Sequence, residues 1–89
     1  MPPKAAAPEP AQVPSLGRIV LYHFPPNHID IAKNNGSDVG PAVIVSVSAN
    51  QVVNLKVLAD SSTDLWKPGV PYGPDGHTYT GYWEWPPRV

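Results

Sequence analysis

From Gly17 the chain reads GRIVLYHF, a run of aliphatic and aromatic residues that predicts a first β-strand. Pro25 and Pro26 stop it, and PPNHIDIAKNNGSDVGP follows as a long loop. Within that loop NNG and DVGP carry turn chemistry, because Asn and Gly accept positive φ at little cost. Only HIDIAKNN shows a trace of helical period. A loop of this length in a small domain is either functional or ordered by something else.

The next stretch, PAVIVSVSANQVVNLKVLAD, places two strand-like runs around ANQ and predicts a β-hairpin. A two-residue turn at Asn50-Gln51 would oppose Val47 with Asn54 and Val45 with Lys56, mixing apolar and polar residues on one face. A three-residue turn, Ala49-Asn50-Gln51, opposes Val47 with Val53, Val45 with Leu55 and Val43 with Val57. A slip of one residue exchanges the two faces, so the odd turn is favoured, and Asn50 or Gln51 must supply its left-handed residue. The remainder alternates turn signals with short aromatic runs. GPDGH reads as a tight turn, flanked by VPY as an edge strand and YTGYWEW as a last strand.

The tally is an all-β chain of four or five short strands. It predicts a small SH3-like barrel or a strongly bent antiparallel sheet over residues 17–89, preceded by an extended Pro/Ala-rich arm over 1–16. The expected core is Ile19, Leu21, Val43, Val45, Val47, Val53, Leu55, Val57, Trp83 and Trp85. In an extended YWEWP, Trp83 and Trp85 project to one face while Tyr82 and Glu84 project to the other.

Composition narrows this picture. The 89 residues carry one domain, which at this size buries only about 60% of its unfolded surface. Cysteine is absent, so neither disulfides nor thiolate-bound zinc can reinforce the fold, and docking on a larger partner is the expected source of added stability. Six Lys+Arg against seven Asp+Glu leave a formal charge of −1, which excludes the basic stripe of a nucleic-acid binder. No apolar run approaches the ~20 residues of a membrane span, and no apolar signal core follows Lys4.

Candidate chemistry is sparse. His23, His28, Asp30 and His77 are the only conceivable metal set, and their spacing does nothing to make three or four ligands converge. No serine sits in a nucleophile elbow, and DSSTD reads as a turn whose short polar side chains bond their own backbone. No phosphate-cradling glycine loop occurs. The expectation is a non-enzymatic protein without catalytic residues, metal or cofactor.

Binding is the remaining class. Trp66, Tyr72 and Tyr82 are candidates for an exposed aromatic shelf, the kind of surface that accepts polyproline segments at low entropic cost. Met1–Pro14 holds five prolines, Pro2, Pro3, Pro8, Pro10 and Pro14, and so supplies a candidate ligand that a neighbouring copy could receive.

Val53-Asn54-Leu55, Val70-Pro71-Tyr72 and Trp83-Glu84-Trp85-Pro86 stand in an order that resembles a group of short, mostly uncharacterised proteins of tailed bacteriophages and prophages. The resemblance covers about residues 17–89. It implies a phage origin and offers no catalytic residues. Together with the composition it leads to the expectation of a virion structural accessory, assembled in the host cytoplasm. That means a capsid decoration or cement protein, or a minor head or tail component. Its expected partners are the major capsid protein or other virion proteins, with homo-oligomer formation through the arm. The alternative is a phage-encoded module that binds a host protein through the aromatic shelf.

Overall fold

A computed structural model of the protein describes residues 13–87. Five strands form one sheet: β1 Ile19–His23, β2 Val39–Val47, β3 Val53–Val57, β4 Leu65–Val70 and β5 Tyr82–Glu84. A single helical turn, α1 Asp30–Lys33, lies in the β1–β2 loop. The strand order is β4-β3-β2-β1-β5, and every neighbouring pair is antiparallel.

The sheet curls into a half-barrel. At one end the chain leaving β4 meets β5 through a parallel bridge between Tyr72 and Trp83. Trp83 N–H donates to the Pro71 carbonyl at 3.0 Å, and Gly73 N–H donates to the Trp83 carbonyl at 2.9 Å. The protein is thus a small all-β, barrel-like domain. Val70-Pro71-Tyr72, expected as an edge strand, therefore forms the seam of the barrel.

The inside of the curl is packed by Val20, Tyr22 and Phe24 from β1 and its end, Ala42 and Ile44 from β2, and Val53, Leu55 and Val57 from β3. Val70 and Trp83 complete it, and Trp85 packs half-buried against Trp83 with ring centroids 5.1 Å apart. Trp83 is the largest fully buried side chain, and its indole N–H donates to the Gln51 carbonyl at 2.8 Å. A buried indole N–H needs such an acceptor, and here the acceptor belongs to the hairpin turn.

Near its tip the hairpin has the register that the odd turn requires: Val47 opposes Val53 and Ser46 opposes Asn54. Asn50 (φ 61°) and Gln51 (φ 62°) both take the left-handed conformation. Below the tip, a β-bulge at Val45 shifts the ladder, so that Ile44 faces Leu55, Val43 faces Lys56 and Ala42 faces Val57. The expected Val43–Val57 and Val45–Leu55 pairs do not form.

This shift corrects the expected core. Ala42 and Ile44 point inward, while Val45 is 41% exposed and Val43 is half-buried on the outer face. Val43 pairs with Ile19 on β1, so Ile19, 48% exposed, and Leu21 face outward too, and Val20 and Tyr22 take the inner positions. Val47 lies beyond the packed interior at the hairpin tip and is 42% exposed.

Strand β4 was hidden by Pro68 and Gly69. The ladder runs from Leu55↔Lys67 to Val53↔Val70, so both residues bulge opposite Asn54. A bulge tolerates proline because the ladder is already broken there. The Gly69 N–H is satisfied by Asn54 Oδ1 at 2.8 Å, with Gly69 at φ 62°.

The long β1–β2 loop is ordered from within by Asn34, the buried polar residue of the described chain, at 2% exposure. Its Nδ2 donates to the carbonyls of Ser37 (2.9 Å) and Val39 (3.1 Å). Its Oδ1 accepts from the Asp60 N–H at 2.8 Å, tying this loop to the β3–β4 connection.

Candidate interaction surface

The bulge at Val45 leaves apolar side chains on both faces of the sheet. Because cross-strand partners share a face, the registers order the outer one into rows. One row runs Trp66, Lys56, Val43, Ile19 from β4 to β1. The next holds Pro41, Leu21 and Glu84, with Leu58 joined to it by its N–H donated to the Pro41 carbonyl at 2.8 Å. A third holds Val39, His23 and Tyr82. The first two rows are mostly apolar, and Trp66 is 59% exposed. Scattered exposed apolar residues are ordinary on a protein surface, whereas a contiguous band with polar residues at its margins marks a surface that meets a partner.

The third row is polar and internally paired. Tyr82 stacks on the His23 ring at 4.4 Å centroid separation and 8° interplanar angle. His23 Nε2 faces the Glu84 carboxylate, an ion pair when the imidazole is protonated. Burial raises the Tyr82 phenol above its ordinary range, with the negative charges of Glu84 and Asp38 adding to the effect.

The residues expected to form an aromatic shelf stand on three different elements. Trp66 stands on β4 and Tyr82 on β5, the two ends of the strand order. Tyr72 packs edge-on against Trp83 at 4.8 Å, at the barrel seam. Of the arm prolines, Pro14 is buried, while Pro2, Pro3, Pro8 and Pro10 lie outside the described residues.

A second polar cluster sits inside the half-barrel's open side. Lys67 points inward, 5.9 Å from the Phe24 ring centroid, and its ammonium bonds the Asp30 carboxylate. That hydrogen bond is the main reason the Asp30 carboxyl is held below its usual range, with the charges of Lys67, Lys33 and His28 adding to it. His28 Nδ1 accepts from the Asp30 N–H at 3.1 Å. Asp30 is therefore engaged as a structural partner of Lys67, clamping α1 to β4. His77 is elsewhere, with Nδ1 3.1 Å from the Gly73 carbonyl in the seam turn. Among the described residues no three His, Cys, Asp or Glu side chains gather where they could hold a metal ion.

A shallow cleft of about 320 Å³ is lined by Lys33, Ser61, Ser62, Thr63 and Leu65. The Lys33 ammonium is drawn to Asp30 Oδ1 at 3.5 Å, and Ser61 Oγ donates to the Thr63 carbonyl at 3.1 Å. These contacts engage Lys33 and Ser61 with Asp30 and the Thr63 backbone rather than with one another. No helix of the described residues is long and apolar enough to cross a membrane. The outer sheet face is the feature that sequence reading missed. Its signal was present as unbroken aliphatic runs, IVL and AVIV, which serve two faces of a strand better than one.

Comparisons of the chain with protein-family models, curated proteins and solved structures find no match.

Proposed function

We infer that the protein is a non-enzymatic structural accessory of a tailed-phage virion, of the capsid decoration or cement type or a minor head or tail component. In this reading it docks through the outer face of its sheet. The observation that carries the docking is the apolar patch of Ile19, Leu21, Pro41 and Val43, with Trp66 beyond Lys56, on a barrel whose interior is already filled. The virion setting rests on the order of the VNL, VPY and W-x-W-P segments. A small face suits such a role, because repetition over a lattice multiplies a modest interface through avidity. Host-protein capture through one aromatic shelf is supported less, since Tyr82 is stacked on His23 and Tyr72 packs edge-on against Trp83.

Quantitative mass spectrometry of purified particles tests the reading. A stoichiometric presence in many copies is expected, and it should fall when Val43 or Leu21 is replaced by Lys in the phage. Particles that lack the protein altogether would refute the assignment.

A further inference from the structure

The outer face carries one cation and one anion on either side of its apolar centre. Lys56 lies on β3, next to Val43, and the described residues offer it no ion pair or side-chain hydrogen bond. Glu84 lies on β5, next to Leu21. Three strand spacings separate them across the sheet, about 14 Å, and the register offsets them by two residues, about 7 Å along it. Val43, Ile19, Pro41 and Leu21 fill the space between.

A surface of this kind is complementary to itself. If two copies meet face to face about a two-fold axis that bisects the line between Lys56 and Glu84, each Lys56 falls opposite the partner's Glu84. The two apolar centres then cover one another. The opposite arrangement, with Lys56 over Lys56, is penalised by like-charge contact, so the charges select one orientation.

We propose that the outer sheet face binds a second copy of this chain, forming a two-fold dimer. The proposal rests on the reading above that this face is an interface, and it names the face's immediate partner. The curl of the sheet confines contact to β1, β2 and the flanking parts of β3 and β5, a footprint well below the ~800 Å² per partner of a standard interface. The dimer is therefore weak, and dissociates on dilution.

Sedimentation of the full chain from about 10 μM to about 1 mM tests this, the upper concentration being set by the weakness expected of so small an interface. A shift from monomer toward dimer is expected. Lys56→Glu gives an all-anionic face and Glu84→Lys an all-cationic one, so each variant alone stays monomeric while an equimolar mixture recovers association. Val43→Lys, at the centre of the face, abolishes self-association without involving the Glu84–His23 pair. Amide NMR dispersion verifies that each variant is folded. A wild-type monomer at the top concentration, or association that survives both Val43→Lys and Lys56→Glu, overturns the proposal. Either result leaves the particle measurement free to decide the virion reading. A dimer in solution with no protein on particles does the reverse.

Discussion

Asn34→Ala removes three hydrogen bonds at once: those from Nδ2 to the Ser37 and Val39 carbonyls, and that from the Asp60 N–H to Oδ1. A net ~1 kcal/mol per bond gives a loss of about 3 kcal/mol. Some of this is recovered at Val39, whose carbonyl also accepts from Ser37 Oγ at 2.9 Å. A domain of this size has a total stability of roughly 4–13 kcal/mol, so the loss is a large fraction of it. With a urea m-value of about 1 kcal/mol/M, the unfolding midpoint should fall by about 2–3 M, followed by tryptophan fluorescence. Asn35→Ala is the matched control. It deletes one exposed bond, from Asn35 Nδ2 to Asp60 Oδ2 at 3.1 Å, and should cost under about 0.5 kcal/mol. Equal midpoints for the two variants would refute the idea that Asn34 orders the long loop.

Other predictions probe the barrel elsewhere. At Gly81 (φ +86°) an added Cβ would lie 2.5 Å from Tyr22 Oη and 3.2 Å from the His23 carbonyl. Gly81→Ala should therefore destabilise by more than about 2 kcal/mol in thermal melts, combining left-handed strain with the clash. The bulge is tested by a pair of truncations: Ile44→Ala should cost about 2–5 kcal/mol and Val45→Ala less than about 1, whereas an unbulged hairpin would reverse that order in urea titrations. Asp30 contributes stability that is present above its unfolded pKa and is lost as pH falls through its depressed folded pKa. Urea midpoints measured between about pH 2 and 6 should show a weaker acid dependence in Asp30→Asn than in the parent, and identical profiles would remove the Lys67 clamp from the account.

The strands of the hairpin were legible because Val53, Leu55 and Val57 alternate cleanly with Asn54 and Lys56. Their partner strand was not, because AVIV is apolar at every position. Either phase buries valines, and one bulged residue decides which. Tip register and the left-handed residues at Asn50 and Gln51 followed from local turn chemistry, which depends on few neighbours. Strand β4 escaped notice because Pro68-Gly69 reads as punctuation, and only the Asn54 side chain, distant in sequence, makes a bulge there. Asn34 sits in an NNG that advertises a turn, while its bond to the Asp60 N–H spans 26 residues and leaves no local trace. The candidate surface was misread for the same reason as the core. Val43 and Val45 read as interior from the register of an unbulged hairpin and Ile19 and Leu21 from their aliphatic run, whereas the ladder turns Ile19, Leu21 and Val43 to the outer face and leaves Val45 exposed at the bulge.

Trp83 links distant parts of the chain: Tyr22 beside it in the sheet, Tyr72 across the seam, and the Gln51 carbonyl at the hairpin turn. It is also synthesised after all of those partners. A nascent chain lacking β5 would have strands β1–β4 without the indole that completes their interior, and no closing bridge. Folding should therefore be late and concerted rather than stepwise along the polypeptide, with the slow rate typical of sheets built from non-local pairings. A released chain truncated before Trp83 should remain sensitive to protease, and one that extends through Trp85 should be protected.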